Sequence, residues 1–345
     1  MAPGFAVAIV GATGLVGRTM ATVLAERAFP VASLRLFASG RSAGTRLQFA
    51  GDEFIVEASG PDRFEGIDLA LFSAGASTSR ELAPAAASAG AVVVDNSSAW
   101  RMEPDIPLVV PEVNPHDIDW HEGIIANPNC STIQMVVALN PLHRTHRIKR
   151  IVVDTYQSVG GTGNRGVEEL RRQIADDASG APLVPDVYPY PIAFNLVPQI
   201  DSFLADGSSK EEAKMMNETR KIMHAPDIRI AATTVRVPVY AAHSEAVHVE
   251  FANPITPDEA RAILRSAPGV IVEDDPEQRV YPTPRERAGR DEVFVGRVRR
   301  NEVFDHGLSM WIVADNIRKG AATNAVQIAE EVVRRGRLSR GRSDR

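Results

Sequence analysis

The chain has 345 residues, 44% of them hydrophobic and 24% charged, with a net charge of −6 and a single cysteine. That length holds two domains with their own cores and excludes a fibrous or disordered chain; the lone cysteine excludes an internal disulfide, and the acidic balance carries no nucleic-acid signature. With no leader-like start and no apolar run near the roughly 20 residues of a membrane span, a reducing cytoplasm is the expected home, and neither membrane nor nucleic acid is an expected partner.

The opening predicts strand, glycine turn and helix: apolar Phe5 to Val10, then Gly11-Ala12-Thr13-Gly14-Leu15-Val16-Gly17, then a helical pattern from Arg18 that Pro30 stops. Glycines at 11, 14 and 17 in this context fit a dinucleotide turn, where the chain passes close to a pyrophosphate seated on a helix N-terminus. A tight packing turn is the alternative. The second strand, Leu34 to Phe37, runs into Ala38-Ser39-Gly40-Arg41-Ser42. NAD sites place an acidic residue there for the ribose 2′-hydroxyl, whereas hydroxyls and an arginine suit a 2′-phosphate. NADP is therefore the expected cofactor, with Gly11, Thr13, Gly14, Leu15, Val16, Ser39, Arg41 and Ser42 as its candidate site. Strands at Leu69 to Phe72 and Ala91 to Val94 flank an alanine-rich helix from about Thr78 to Ala89, in which Pro84 either makes a kink or marks the first turn. Ser73-Ala74-Gly75 is expected against the cofactor at the carboxyl edge of the sheet. The alternation predicts an α/β fold with a Rossmann-type doubly wound parallel sheet.

Cys130 follows Asn127-Pro128-Asn129, where an apolar run breaks and a helical pattern begins. At a first helical turn, unpaired backbone N–H groups favour thiolate and can stabilise an oxyanion formed by its attack on a carbonyl. A small buried hydrophobe is the ordinary alternative. From about Arg147 the texture changes to longer strands at Ile148 to Gln157, Arg229 to Val239, Ala246 to Phe251, Glu292 to Val298 and Leu308 to Ala314. Helical patterns near Gly166 to Asp177, Lys210 to His224 and Pro257 to Ser266 complete an α+β domain with one exposed sheet face, suited to pairing with a twin subunit. Gly180 to Pro191, with four prolines, is the clearest extended loop. The expected division is residues 1–130 as the NADP-binding domain, completed by a terminal helix in 315–335, and 131–314 as the catalytic and dimerisation domain. Six arginines lie between Arg334 and Arg345, and 336–345 reads as a basic, flexible tail.

A dinucleotide domain with one thiol suggests aldehyde chemistry through a thioester, which needs an acid or base. Among eight histidines His243 is the most suggestive, because Arg236 to Glu245 ends a strand with polar groups at an expected turn; a structural histidine is the competing reading. His143 and His146 lack further ligands to complete a metal site, so no metal is expected.

These residues resemble the aspartate-semialdehyde dehydrogenase family over nearly the whole chain. The motifs are Gly11 to Gly14, Asp95-Asn96-Ser97-Ser98-Ala99-Trp100-Arg101-Met102, Val109 to Asn114, Asn127 to Thr132, Thr155 to Gly163, the strand with Arg236, and Asp315-Asn316-Ile317-Arg318-Lys319-Gly320-Ala321-Ala322. The resemblance implies NADPH-dependent reduction of L-aspartyl 4-phosphate to L-aspartate 4-semialdehyde and phosphate by a homodimer, feeding lysine, methionine and threonine synthesis. It implies Cys130 as nucleophile, His243 as general acid/base and Gln157 as the residue orienting the substrate. Arg236 is implied for the α-carboxylate, Glu218 for the α-ammonium group, and Arg101, Asn129 and Lys221 for phosphate. Gly160, Gly161 and Asn316 are implied near the nicotinamide. The rivals are N-acetyl-glutamyl-phosphate reductase, against which a carboxylate at Glu218 argues, and a non-catalytic NADP-binding redox sensor.

Overall fold

The first strand, β1 (Phe5–Val10), sends alternate side chains into two separate cores, Val7 and Ile9 into one and Ala8 and Val10 into the other. A strand buried on both faces belongs at the centre of a sheet covered by helices on each side, and such strands read as continuous apolar runs. In the computed structural model, which describes residues 4–338, the chain divides into two units, Met1–Asn129 with Ala321–Arg345, and Cys130–Gly320.

The first unit runs β1, α1 (Leu15–Glu26), β2 (Val31–Ala38), β3 (Arg46–Phe49), β4 (Asp52–Ala58), β5 (Leu69–Phe72), α2 (Ala76–Ser88), β6 (Val92–Asp95) and β7 (Ile124–Ala126). These strands form one sheet in the order β3-β4-β2-β1-β5-β6-β7, parallel throughout except for β3. The chain leaves β1 toward β2 and returns to its other side at β5. That reversal opens a crevice at the carboxyl ends of the strands. Helix α1 begins at Leu15, three residues earlier than the sequence pattern suggests, because Gly14 itself is the N-cap. Pro84 lies inside α2, not in its first turn, since Gly75 with φ 83° starts the helix. The hairpin β3–β4 has no counterpart in the predicted elements. Its two-residue turn, Ala50-Gly51, has both φ positive, at 51° and 95°, the backbone of a type I′ turn without its usual Asn or Asp.

The second unit opens with α3 (Cys130–His146) and continues through β8 (Ile148–Gln157), α4 (Asn164–Ala178), α5 (Lys210–Ile222), β9 (Arg229–Arg236), β10 (His243–Phe251), α6 (Pro257–Arg265), β11 (Val270–Val272), α7 (Pro284–Arg287), β12 (Val293–Asn301) and β13 (Gly307–Ala314). Its six-stranded mixed sheet has the order β11-β12-β13-β10-β8-β9. On β8 the residues Ile151, Val153, Thr155 and Gln157 point inward, while Val152 and Tyr156 on the other face stay exposed. The loop Gly180 to Pro191 is irregular, as its prolines suggest, and is fastened to α4, where Gln173 Oε1 accepts from the amides of Ile192 (2.8 Å) and Ala193 (3.0 Å).

The last helix, α8 (Thr323–Arg334), follows a π-helical turn over Arg318–Ala322, so regular helix occupies only the later part of the expected 315–335. Its Ala325, Ile328, Ala329 and Val332 join the same core as Met20, Val23 and Leu24 of α1. Of the arginine-rich end, Arg334 and Arg335 pair with Glu331, and Arg335 and Arg337 with Asp119; residues 339–345 of the expected tail lie outside the described residues. On the opposite face of the sheet, Phe64 sits between the rings of Phe37 and Phe72, at centroid distances of 5.7 and 5.9 Å. Phe64→Ala is expected to lower stability by about 3–5 kcal/mol in urea denaturation; a loss well below this would show that the face rearranges to fill the gap.

Candidate active site

The glycine turn is explained by two close approaches of backbone. A Cβ on Gly11, whose φ is 87°, would lie 2.2 Å from the carbonyl oxygen of Ser73, and one on Gly17 would lie 2.2 Å from that of Gly11. The turn can therefore press against β5 and let α1 approach β1 only with glycine at both positions. The amides of Gly11 and Ala12 both donate to Phe37 O, at 2.8 and 3.0 Å, which ties the turn to β2. Helix α1 has no side-chain cap at Gly14 and no acidic residue in its first turn, so its leading N–H groups and positive dipole end are left for an anion. In front of it lies a cavity of about 320 Å³ lined by Val10, Gly11, Thr13, Gly14, Ala38, Ser39, Ser59, Ser73, Ala74 and Thr78, with no carboxylate among them. The residues present thus fit a dinucleotide, and the absence of acid at the end of β2 fits a phosphorylated ribose. Arg41 and Ser42 sit in the 3₁₀ turn that follows β2, and Leu15 and Val16 in the first turn of α1; none of the four lines the cavity.

In the same unit, Asn127 is buried and saturated. Its amide nitrogen donates to Asn96 Oδ1 (2.7 Å) and Ala321 O (3.2 Å), and its oxygen accepts from Asn324 Nδ2 (2.7 Å). This locks the start of the Asn127-Pro128-Asn129 turn that leads into α3. Arg101, also buried, donates Nε to Asn127 O at 3.0 Å and Nη2 to Asn96 O at 2.9 Å. Asn129 closes the segment and is buried.

Cys130 is the first residue of α3 and partly exposed. Gly320 faces it, and a Cβ there would come within 2.8 Å of the cysteine Cβ. The loop that ends in Gly320 carries Asn316, whose Oδ1 accepts from Ser158 Oγ and from Ala242 N, both at 3.0 Å. The Asn316 amide nitrogen has no partner among the described residues, although it is buried.

Ser158 is the hub of the polar cluster around His243. Its backbone N–H donates to His243 Nδ1 at 3.0 Å, its carbonyl accepts from Arg236 Nη1 at 2.7 Å, and its hydroxyl lies 3.2 Å from Nδ1. A backbone N–H can only donate, so Nδ1 is the acceptor and the neutral imidazole carries its proton on Nε2. Burial, and next the Arg236 guanidinium, hold this histidine well below its usual range, so the ring is neutral at physiological pH. Gln157, at the end of β8, accepts from Thr155 Oγ1 (3.0 Å), donates to Glu211 (3.1 Å) and brings its nitrogen to 3.4 Å from His243 Nε2. Gly160 and Gly161 close over the cluster, and a Cβ on Gly161 would stand 2.9 Å from Arg236 Nη1 and 3.5 Å from His243 Nε2. His243 is the first residue of β10, not part of a turn. The strand fixes where the ring points.

The family model for the semialdehyde dehydrogenase NAD-binding domain matches residues 6–121, and that for the semialdehyde dehydrogenase dimerisation domain matches 139–319. The chain is 58% identical to the aspartate-semialdehyde dehydrogenase of Aquifex aeolicus over 96% of its length and 99% of that protein. The chain belongs to the aspartate-semialdehyde dehydrogenase family. Among solved structures, aspartate semialdehyde dehydrogenase II from Vibrio cholerae, complexed with ASA, superposes with a TM-score of 0.93 at 49% identity, covering 96% of this chain and 98% of that one. The more distant Candida albicans enzyme, crystallised with NADP, gives a TM-score of 0.75 at 25% identity over 96% of this chain and 98% of its own.

Within this family member, Arg236, His243, Gly161 and Asn316 are hydrogen-bonded to Ser158, and Gln157 and Gly160 flank that group. Glu218, buried, and Lys221, half-buried, lie three residues apart on α5, which packs against β9 and α3. Arg101 and Asn129 belong to the unit with the nucleotide cavity. Of the two histidines first weighed as ligands, His143 Nδ1 accepts from Ile148 N at 3.0 Å, and His146 lies 3.2 Å from Glu259. The sequence assigns no role to Ser158, Asn127 or Asn324. Ser158 lies inside the Thr155 to Gly163 motif, but a serine whose main chain does the work leaves no signal in residue type.

A neutral buried histidine has a linkage signature. Its folded pKa lies below the unfolded value of about 6.5, so the unfolded chain takes up the proton first and stability falls as pH drops through that value. Wild type is expected to lose stability relative to His243→Asn as pH falls below about 6.5, read from paired thermal melts. Parallel curves would mean that the folded protein holds an imidazolium.

Proposed function

We propose that the protein catalyses the NADPH-dependent reductive dephosphorylation of L-aspartyl 4-phosphate to L-aspartate 4-semialdehyde. The observation that carries this reading is the buried His243, fixed as a neutral Nε2–H donor beside Arg236 and Gln157, in a family member whose lone cysteine heads a helix. In this reading the Cys130 sulfur attacks the acyl carbon, the carbon–oxygen bond to phosphate breaks, and phosphate leaves with the electron pair, so a thioester joins substrate to enzyme. Arg101, Asn129 and Lys221 bind the phosphate. Arg236 uses Nη1 on Ser158 and offers its remaining donors to the substrate α-carboxylate, while the Glu218 carboxylate meets the α-ammonium group. An N-acetylated substrate would offer Glu218 no cation, which disfavours the N-acetyl-glutamyl-phosphate reductase alternative. When bound, NADPH supplies the hydride. His243 then gives its Nε2 proton to the developing oxyanion or departing thiolate, with Gln157 orienting the substrate.

The backbone of Gly11, Thr13 and Gly14 and the amides of Leu15 and Val16 would hold the pyrophosphate, and Ser39, Arg41 and Ser42 the 2′-phosphate. Asn316 Nδ2, a buried donor near Gly160, suits the nicotinamide carboxamide, with Gly160 and Gly161 beside it. We assign the chain to the cytoplasm, as a homodimer paired through the open face of the six-stranded sheet. Tyr156 there lies half-exposed, 5.4 Å from the Trp311 ring. No helix among the described residues is long and apolar enough to cross a membrane.

The first test mixes the protein with L-aspartate semialdehyde, NADP and phosphate and follows NADPH absorbance. A phosphate-dependent signal is expected; silence here with turnover of N-acetylglutamate semialdehyde would favour the other reductase. Cys130→Ala is expected to abolish turnover while NADP still binds, and substantial retained activity would remove the cysteine from the mechanism. Arg41→Ala should raise the KM for NADPH about tenfold or more, the loss of one charged hydrogen bond to phosphate, and leave NADH nearly unmoved.

A further inference from the structure

One step inward from Cys130 and His243, two buried polar side chains lack partners. Gln134 follows Cys130 by four residues on α3, one turn along the same face, and Glu245 follows His243 by two residues on β10, again on the same face. Both are fully buried. Both amide atoms of Gln134 and both carboxyl oxygens of Glu245 lack a hydrogen-bond partner among the described residues. Helix α3 packs against β10, and Gln134 is the polar side chain next to the Glu245 carboxyl.

The donor count distinguishes the two states of Glu245. An ionised carboxylate only accepts, so it would use the Gln134 N–H, leave the Gln134 oxygen facing a negative charge, and remain uncompensated in the interior. A carboxylic acid gives its O–H to Gln134 Oε1 and accepts from Nε2, which satisfies both groups. The groups around it agree. From α5 comes the Glu211 carboxylate, which bonds Gln157 and Lys214; from β8 the neighbour in register is Thr155, from β13 Ile312, and along β10 the neutral His243. Burial pushes the Glu245 carboxyl well above the usual carboxylate range, an effect the neighbouring Gln134 amide reduces and the Glu211 charge adds to.

We propose that Glu245 is carried as an uncharged carboxylic acid paired with the Gln134 carboxamide, and that this pair is a positioning device joining the helix of Cys130 to the strand of His243. The proposal rests on the reading of those two residues as the reacting pair. A charge at Glu245 would also favour protonation of His243, against the neutral form that its Ser158 hydrogen bond selects.

The test compares wild type, Glu245→Gln and Glu245→Ala. The infrared difference spectrum of wild type against Glu245→Gln at neutral pH is expected to show the C=O stretch of a protonated carboxyl; a spectrum without it overturns the uncharged acid. The folded pKa lies above the unfolded value of about 4.3, so this group's stability contribution is full below that value and is lost as pH rises through the folded one. Wild type should therefore lose stability relative to Glu245→Gln as pH rises above about 4.3. In turnover, Glu245→Gln, which can still pair with Gln134, should recover kcat to within a few-fold of wild type. Glu245→Ala should lower kcat about 100-fold with KM little changed, the scale of a small misplacement of reacting groups. Wild-type kcat in Glu245→Ala would overturn the positioning role. Should the alanine variant not fold, the infrared and pH-stability comparisons on Glu245→Gln still decide the charge state. Absence of aspartate-semialdehyde turnover in wild type would overturn the functional reading and leave the infrared result intact.

Discussion

The polar cluster of the second unit depends on a single main-chain hydrogen bond, from the amide of Ser158 to His243 Nδ1. A side-chain partner could rotate or change protonation; a peptide N–H can do neither. It selects the tautomer, and burial beside Arg236 then keeps the ring uncharged. The same residue accepts Arg236 through its carbonyl and meets Asn316 through its hydroxyl, so the backbone and side chain of one serine set the position of His243, Arg236 and Asn316.

Such an arrangement requires polar groups inside a sheet-and-helix layer that would otherwise be apolar. The inward rows of β8 and β10 begin as ordinary core, with Ile151, Val153, Val247 and Val249, and turn polar only at one end, with Thr155, Gln157, Glu245 and His243. Because strand side chains alternate, each of these residues is forced to the same face as the apolar residues further along its row. A buried polar row is costly unless its members bond one another, and here Thr155, Gln157, Glu211 and Lys214 do so in sequence.

The nucleotide half works differently, through backbone and omission. Gly11 and Gly17 matter for the side chains they lack, Gly14 for capping α1 with no group of its own, and Ala38 for the acid that is not there. Omissions of this kind are legible in sequence, because a glycine or a missing carboxylate at a fixed position after a strand has few other meanings.

The sequence by itself determined the parallel doubly wound sheet, the glycine turn, the second α+β domain and the candidate residues Cys130, Arg236 and His243, because each is a local signal of periodicity, turn chemistry or motif. It passed over the β3–β4 hairpin, whose Ala-Gly turn lacks the usual residues, and it set His243 in a turn when the ring needs a strand to aim it. Only the tertiary structure decided which nitrogen of His243 bears the proton, that Ser158 is its anchor, and that Glu245 and Gln134 face each other. Those facts are set by contacts between elements more than 80 or 100 residues apart in the chain, where main-chain donors and burial act without leaving a mark on residue type.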